Sequence, residues 1–445
     1  MPFTPADSQI FSPLFNEPEI SAIFSDEQAI RRWLEVEGAL ARVESRLGII
    51  PAEAGEAVSS AANQIQVDME QLRAGVEQDG FPIIELVRQL RRKAGKAYAG
   101  SVHYGATTQD IMDTALILQI RAALDVIENQ LRRLIINLTG LADRYRGTLM
   151  PGRTHSQQAL PISFGFKVAG WLAPLLRHRN RLYELKPRLL VVQFGGAVGT
   201  LAALGNRGIE VQAAMAQELG VGILPMPWHT QRDNLAELAG WLSLASGSLG
   251  KMAQDIVLLA QSEVGEVRES ADLKHGGSSA MPHKSNPITS ELILAAARTN
   301  AGHLAAMHQA LIDEHERGTH AWQLEWLALP QMFALTSSAL RHALWLFENL
   351  QVDETRMQAN VCASNGLMLA EALTMALSQT MERSEAAQLV GEASRTAASQ
   401  NRHLLDVVQE KTSAPLDWDS LRNEANYLGS ANEFIDRVLQ EARDG

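Results

Sequence analysis

Over residues 112–141 the apolar positions fall at Leu116, Ile120, Leu124, Ile127, Leu131, Leu134, Leu138 and Leu141. Steps of three and four residues put them on one stripe of a helix about thirty residues, or roughly 45 Å, long. The pattern returns at Leu235, Leu238, Leu242, Ala245, Leu249, Met252, Ile256 and Leu259, flanked by Gly240, Ser243, Gly247 and Gly250. Glycine in an exposed helix costs about 1 kcal/mol relative to alanine. Several in one helix predict close neighbours on all sides. Further long helices are predicted over about 161–190, 289–312 and 330–350. Alternating strand patterns are short and isolated.

Shorter helical segments precede this region, broken at 48–51 and 80–82. Others follow it, broken at 365–366 and 413–415. The pattern predicts an all-α fold with a bundle of about five near-parallel long helices. Three parts are expected: an N-terminal helical domain over 1–102, the central bundle over 103–352 and a C-terminal helical domain over 353–445.

Composition narrows the class. Hydrophobic residues make up 46% of the 445 and charged residues 20%, enough apolar material for a large core and too little charge for general disorder. The net charge of −12 disfavours nucleic acid and anionic membrane surfaces. A single cysteine, Cys362, excludes a disulfide framework and any cysteine-based zinc or iron–sulfur site. No basic segment precedes an apolar run at the start, and no eighteen-residue apolar run occurs. A soluble cytoplasmic protein is expected.

Three polar, glycine-bearing segments interrupt the helical pattern, and function is expected where local rules fail. The first runs from His103 to Asp110, directly before the first long helix. There Thr107 and Thr108 meet the positive end of the helix dipole, a setting that binds carboxylates or simply caps a helix. The second, Gly152 to Pro161, gathers Arg153, His155, Gln157 and Gln158 before a predicted helix start. His155 is either an acid or base near neutral pH or part of a polar capping turn. The third, Gly276 to Pro287, combines two glycines, Ser278, Ser279, Lys284 and Asn286. It reads as a lid over an anion rather than a plain linker. His315 and His320 stand five apart, which does not align them as a metal pair, and no metal site is expected. The stretch from Trp228 to Asp233 either lines a pocket or caps the next helix.

The third segment, GSSAMPHKSNP, resembles the signature loop of the fumarase/aspartase superfamily. HYGATTQDIMDT and GRTHSQQALP match the superfamily's other two blocks in order and spacing. The resemblance implies a homotetramer with a twenty-helix core and four active sites, each assembled from the three blocks of three different chains. Within the superfamily the second block is similar to that of adenylosuccinate lyases. However, His315-Glu316-Arg317 is followed by no arginine that would hold a nucleotide phosphate. The body is more similar to the 3-carboxy-cis,cis-muconate lactonizing branch. The similar stretches are IFSD at 23–26, PWHTQRD at 227–233, ASGSLGKMAQD at 245–255 and the stretch from His315 to Trp326. That branch carries tryptophan at the place of His155 and KRNP where this chain reads KSNP.

The resemblance implies proton transfer at a carbon α to a carboxylate, through a carbanion that fixed donors must stabilise. It implies Ser278 as the base and His155 as the acid toward the leaving group. His103, Thr107, Thr108, Gln157, Ser279, Lys284 and Asn286 would hold a small di- or tricarboxylate, and no cofactor is required. Two activities follow. His155 favours a lyase that releases fumarate from a substituted succinate by C–N or C–O cleavage, and this is the leading expectation. The body favours the alternative, 3-carboxy-cis,cis-muconate cycloisomerase. A third possibility, a catalytically silent structural protein on the same scaffold, sits poorly with Ser278, His155 and Lys284 all being present.

Overall fold

The apolar stripe over 112–141 is the inner face of a longer helix, Thr108–Arg144, in the computed structural model, which describes residues 4–272, 275–277, 281, 284–318 and 320–444. Its 37 residues extend about 55 Å. Ile120, Leu124, Ile127, Leu134 and Leu138 are completely buried along it. Four more long helices follow: Phe164–Leu189, Asp233–Leu259, Ile288–Gln309 and Ala321–Asn349. Helix accounts for 69% of the residues, and the named strands form only two two-stranded pieces, so the fold is all-α.

The last of the long helices begins well before its expected start at Pro330, which lies inside it. Upstream, Trp322, Glu325, Ala328 and Leu329 are buried, so the inner face continues through the proline. Burial of that face outweighs the single backbone donor that proline lacks.

Residues 1–130, 178–247 and 295–341 form one compact unit, and residues 131–177, 248–294 and 342–445 form another. Each long helix contributes residues to both.

In the first unit, polar contacts link the five helices in a closed series. Asn300 donates to Ser246 Oγ at 3.2 Å and to Thr336 Oγ1 at 2.9 Å. Trp241 Nε1 donates to the His178 carbonyl at 2.9 Å. Lys186 pairs with Glu128, and Ser337 donates to Gln130 at 2.8 Å. These buried amides and hydroxyls fix the register of otherwise apolar faces. A separate apolar core joins the helix Asp26–Arg46, through Leu34, Val36, Leu40 and Val43, to Leu86, Leu90, Ile111 and Leu118.

The same unit buries Arg232 between two carboxylates. Its guanidinium donates to Asp113 at 2.6 and 3.1 Å and to Glu325 at 2.8 and 2.5 Å, and it lies over the Trp228 ring. Trp322 Nε1 donates a further bond to Asp113 at 3.0 Å. Burial pushes the Glu325 carboxyl above the usual carboxylate range despite the neighbouring cation.

In the second unit the aromatic rings of Tyr145, Phe164, Trp171 and Phe347 follow one another at centroid separations of 5.5, 5.9 and 5.7 Å. Trp171 also donates to Asp255 at 2.7 Å. A second core, around Leu373, Leu377, Val390 and Leu405, holds the short C-terminal helices together.

Of the glycines flanking the Asp233–Leu259 helix, Gly250 is buried, whereas Gly240 and Gly247 have no close neighbours among the described residues of one chain. A Cβ at Gly240 or Gly247 would meet no described atom of this chain within 4 Å, nor would one at Gly140, Gly170 or Gly302 on the other long helices. Leu244 and Leu258 are exposed on the same helix. These faces are uncovered within one chain.

Replacing Arg232 with methionine leaves two carboxylates buried without a cation. Urea denaturation should show a loss of about 3–5 kcal/mol, the usual cost of breaking a buried ion pair from one side. A loss below about 1 kcal/mol would mean that the two acids share a proton and need no arginine.

Candidate active site

The segment His103–Asp110 ends by capping the Thr108–Arg144 helix. Asp110, in the first turn, accepts the Thr107 backbone N–H at 3.0 Å. The same carboxylate accepts the N–H groups of Gly195 and Gly196, both at 2.9 Å, the Gln193 side-chain amide at 3.2 Å, and a contact from His229 Nε2 at 2.8 Å. This buried carboxylate therefore has five polar neighbours from three separate parts of the chain. Gly195 and Gly196 can approach because they lack side chains. A Cβ on Gly195 would meet Pro227 at 2.8 Å, and one on Gly196 would meet the Gly105 carbonyl at 3.1 Å.

His103 and Thr107 both receive partners that the sequence does not announce. His103 Nδ1 lies 2.6 Å from Oε1 of the fully buried Glu37. Burial alone lowers the His103 pKa, but the charge and hydrogen bond of Glu37, with Asp110 nearby, raise it overall. Arg317 Nη1 donates to Thr107 Oγ1 at 2.7 Å. The arginine of the HER motif thus stands beside the first block. Thr108 is the first residue of the helix, so His103, Thr107 and Thr108 cluster at its positive end.

In the stretch from Trp228 to Asp233, Trp228, His229 and Arg232 are buried scaffold, whereas Asp233 lines a cavity of about 430 Å³. His229 is buried against Asp110, and Trp228 is buried with its ring nitrogen on the Val192 carbonyl. An apolar cavity of about 610 Å³ in this unit is lined by Trp33, Trp322, Trp326 and Leu72 among others, and by none of the predicted site residues.

The second block is not a turn leading straight into a helix. It is a β-hairpin, with β1 over Leu149–Thr154 and β2 over Gln157–Ser163, paired antiparallel from Leu149↔Ser163 to Thr154↔Gln157. His155 and Ser156 form its two-residue connection, at φ +49° and +62°. Two positive φ values are the mark of the turn that matches strand twist, and they usually call for Asn-Gly. A histidine held there carries strain of the kind that collects at functional positions. His155 and Gln157 are exposed at the hairpin tip. Close to that turn, in the pair Arg153↔Gln158, Arg153 grips the buried Glu266 at 2.8 and 2.6 Å, and Asn360 Nδ2 adds a bond to Glu266 at 2.8 Å.

The signature loop is closed at its neck. Asn286 donates its backbone N–H at 2.9 Å and its side-chain amide at 2.8 Å to the Gly276 carbonyl. The side chain expected to hold substrate is thus engaged in holding the loop. Gly276 has φ +67°, and a Cβ there would fall 2.1 Å from the Asn286 carbonyl. Gly277 and Ser285 form an antiparallel bridge. Below the neck, Glu269 accepts the backbone N–H groups of Thr289 and Ser290 at 3.0 and 2.7 Å, capping the Ile288–Gln309 helix from outside it. Lys284 is exposed and makes no ion pair among the described residues. Ser278 and Ser279 lie outside the described residues.

The first block belongs to one compact unit, whereas the hairpin tip and loop neck belong to the other. The residues matching a general lyase family span 15–302, and those matching the adenylosuccinate lyase C-terminus span 366–438. The chain belongs to the fumarase/aspartase superfamily. Among its superfamily relatives, the 3-carboxy-cis,cis-muconate cycloisomerase of Pseudomonas aeruginosa is 44% identical over 98% of this chain and 96% of its own. An N-acetyl-S-(2-succino)cysteine lyase of Dickeya dadantii is 35% identical over 96% and 95%. The crystal structure of the 3-carboxy-cis,cis-muconate lactonizing enzyme from Pseudomonas putida superposes with a TM-score of 0.91 at 41% identity, over 98% and 99% of the two chains. In this superfamily setting the chain is an enzyme.

Gly276→Ala should open the loop neck, because it combines a disfavoured φ with a clash against backbone. Activity should fall at least about tenfold, and the melting temperature should fall with it, because Gly276 is buried and the clash is with backbone. Unchanged turnover would show that the neck geometry is dispensable.

Proposed function

We propose that the protein is a carboxymuconate-type cycloisomerase, acting on 3-carboxy-cis,cis-muconate or a close polycarboxylate. The observation that carries this reading is similarity along nearly the whole chain to enzymes of that name, in sequence and in structure. In the reaction one carboxylate oxygen of the diene acid adds to an alkene carbon. The adjacent carbon, α to another carboxylate, becomes a carbanion and then takes a proton. The product is a lactone isomeric with the substrate, so no atom is gained or lost. Run backwards, the first event is proton abstraction, and Ser278 is the base by its place in the signature loop. Its ionisation needs nearby donors and exclusion of water. The positive end of the Thr108–Arg144 helix, Thr107, Thr108 and Lys284 supply charge and donors for the carbanionic carboxylate.

A second reading rests on His155. β-Elimination from a substituted succinate breaks a C–H bond and a bond to nitrogen, oxygen or sulfur, giving fumarate and a protonated leaving group. The strained histidine at the hairpin tip is placed on an exposed turn where an acid can reach a substrate. A relative named for a succinyl thioether shows that leaving groups of this type occur among similar chains.

We further propose a homotetramer with sites shared by three chains and the three-part division at 1–102, 103–352 and 353–445. The uncovered glycine faces of the long helices support assembly. The exposure of His155 and Gln157 in one chain supports shared sites. Among the described residues no helix is long and apolar enough to cross a membrane.

Supplying 3-carboxy-cis,cis-muconate and following its ultraviolet absorbance should show rapid loss, with Ser278→Ala abolishing it. A rate no better than that of a substituted succinate would reverse the two readings. His155→Trp should retain much of the cycloisomerase rate, whereas His155→Gln should cost an elimination about 10²–10⁴-fold, the range of a general acid. Light scattering at micromolar concentration should give four times the 48.6 kDa chain mass. A stable monomer would remove the shared-site arrangement.

A further inference from the structure

Glu37 and Glu44 lie two helical turns apart on the Asp26–Arg46 helix, facing inward. Both carboxyl groups are buried, and neither has an arginine or lysine bonded to it among the described residues. Both Glu44 oxygens and Glu37 Oε2 lack any hydrogen-bond partner. The one partner Glu37 has is His103 Nδ1, at 2.6 Å. His103 itself is held at φ +61°, an uncommon conformation for a side chain of its size. Its side chain is 15% exposed, and with Nδ1 tied to Glu37 the ring nitrogen left for a ligand is Nε2.

We propose that Glu37 is a positioning residue that fixes His103 in one orientation and as a cation, so that Nε2–H is presented to a carboxylate of the substrate. The proposal deepens the polycarboxylate reading above and rests on it for the identity of the anion. The groups acting on His103 are Glu37 from the Asp26–Arg46 helix, Asp110 from the Thr108–Arg144 helix and Arg91 from the helix Ile83–Ala94. Glu37 and Asp110 favour the imidazolium, whereas Arg91 and burial oppose it. Asp110 is already saturated by its own five neighbours, so Glu37 is the decisive acid. Glu44 does not compete. Burial, with the charge of Glu37 beside it, pushes the Glu44 carboxyl up to about 9, so it carries a proton at neutral pH. One negative charge is left in the pocket, and it is matched by one imidazolium.

A neutral histidine would donate only one ring N–H, and Glu37 would take it at Nδ1. Nε2 would then be an acceptor and would repel a carboxylate. The buried acid therefore decides whether the exposed edge attracts or rejects an anion.

The test compares wild type, Glu37→Gln and Glu44→Gln between pH 6 and 9. Steady-state kinetics would use 3-carboxy-cis,cis-muconate, or the substituted succinate if that is what wild type turns over. Without Glu37, burial leaves His103 neutral at pH 7.5. KM should then rise about tenfold or more, the scale of a lost charged hydrogen bond, with kcat changed far less. The KM defect should shrink toward pH 6 as His103 regains its proton. Glu44→Gln should leave the KM–pH profile unchanged up to about pH 8, because below its raised pKa Glu44 is already neutral.

Melting temperature supplies a readout independent of turnover. A histidine whose folded pKa is raised stabilises fully below its unfolded value of about 6.5, and that stability is lost as pH rises through the folded pKa. The melting-temperature gap between wild type and Glu37→Gln should therefore be widest near pH 6 and narrow toward pH 9. Glu44, also raised, stabilises at low pH and loses that contribution as pH rises toward 9, so Glu44→Gln should gain on wild type with rising pH.

A gap between wild type and Glu37→Gln that does not vary with pH overturns the ion pair. A pH-dependent gap with KM unaltered overturns the carboxylate role. Wild type that turns over neither substrate defeats the reaction reading, and the melting curves still decide the state of His103. Should Glu37→Gln not fold, His103→Gln must raise KM and flatten its pH dependence, and unchanged kinetics there would equally overturn the proposal.

Discussion

The carboxylate of Asp110 is the contact on which the first block depends. It caps its own helix through the Thr107 N–H and receives Gly195, Gly196, Gln193 and His229. A buried carboxylate without such partners would cost several kcal/mol, so the segments that supply them are held in place by that penalty. Because the glycines have no side chains, the backbone from 193 to 196 can lie against the 103–107 loop. The loop then has little freedom, and Thr107 stands where Arg317 reaches it. Capping, glycine approach and the placing of a cation next to Thr107 are consequences of one satisfied anion.

Much of the scaffold was readable because it obeys a single period. The stripe from Leu116 to Leu141 needs only the helical repeat to be seen, and the Asp233–Leu259 helix starts within two residues of its first apolar position. The readings that needed correction lie where tertiary contacts override local preference. Pro330 reads as a helix start and sits inside a helix, because the buried face on both sides of it is continuous. His155-Ser156 lacks the Asn-Gly signature of a tight hairpin, so the strands on either side went unread. Their pairing is secured from a distance by Arg153 and Glu266. Glu37 and Arg317 lie far in sequence from the blocks they serve, and their roles follow from a 2.6 Å contact and a 2.7 Å contact that spacing cannot express. Asn286 was legible as a polar loop residue. Its duty to the Gly276 carbonyl requires knowing that two residues ten apart meet.

The body of the chain is similar to the cycloisomerase branch, whereas its second block carries His155 at an exposed hairpin turn. A bidentate ion pair from Arg153 to the buried Glu266 anchors the hairpin close to its turn, and the two turn residues beyond it are exposed at positive φ. The side chain at position 155 is exposed, so exchanging it displaces no buried neighbour. The same is not true of Gly276 or Gly195, where any side chain meets backbone or ring atoms. Evolution of the reaction can proceed at the tip, whereas the neck and the glycine platform are fixed by packing. The cycloisomerase and lyase readings thus differ at one exposed turn position on a common frame.

Charge leads to the same separation of frame from chemistry. The chain carries a net −12, yet its substrates by either reading are polyanions. The global field is therefore unfavourable, and attraction must be local and short-ranged, which screening over about 8 Å at physiological ionic strength permits. The buried acids are kept from adding to the problem. Asp110 is surrounded by donors, Asp113 and Glu325 share Arg232, Glu266 is held by Arg153, and Glu44 keeps its proton. In the first unit the positive end of a 37-residue helix and Arg317 beside Thr107 meet the first block, and in the second unit Lys284 is exposed on the loop. For an acidic chain to bind a polyanion, as either reading requires, its interior acids must be offset locally, as Asp110, Asp113, Glu266 and Glu325 are by donors and arginines.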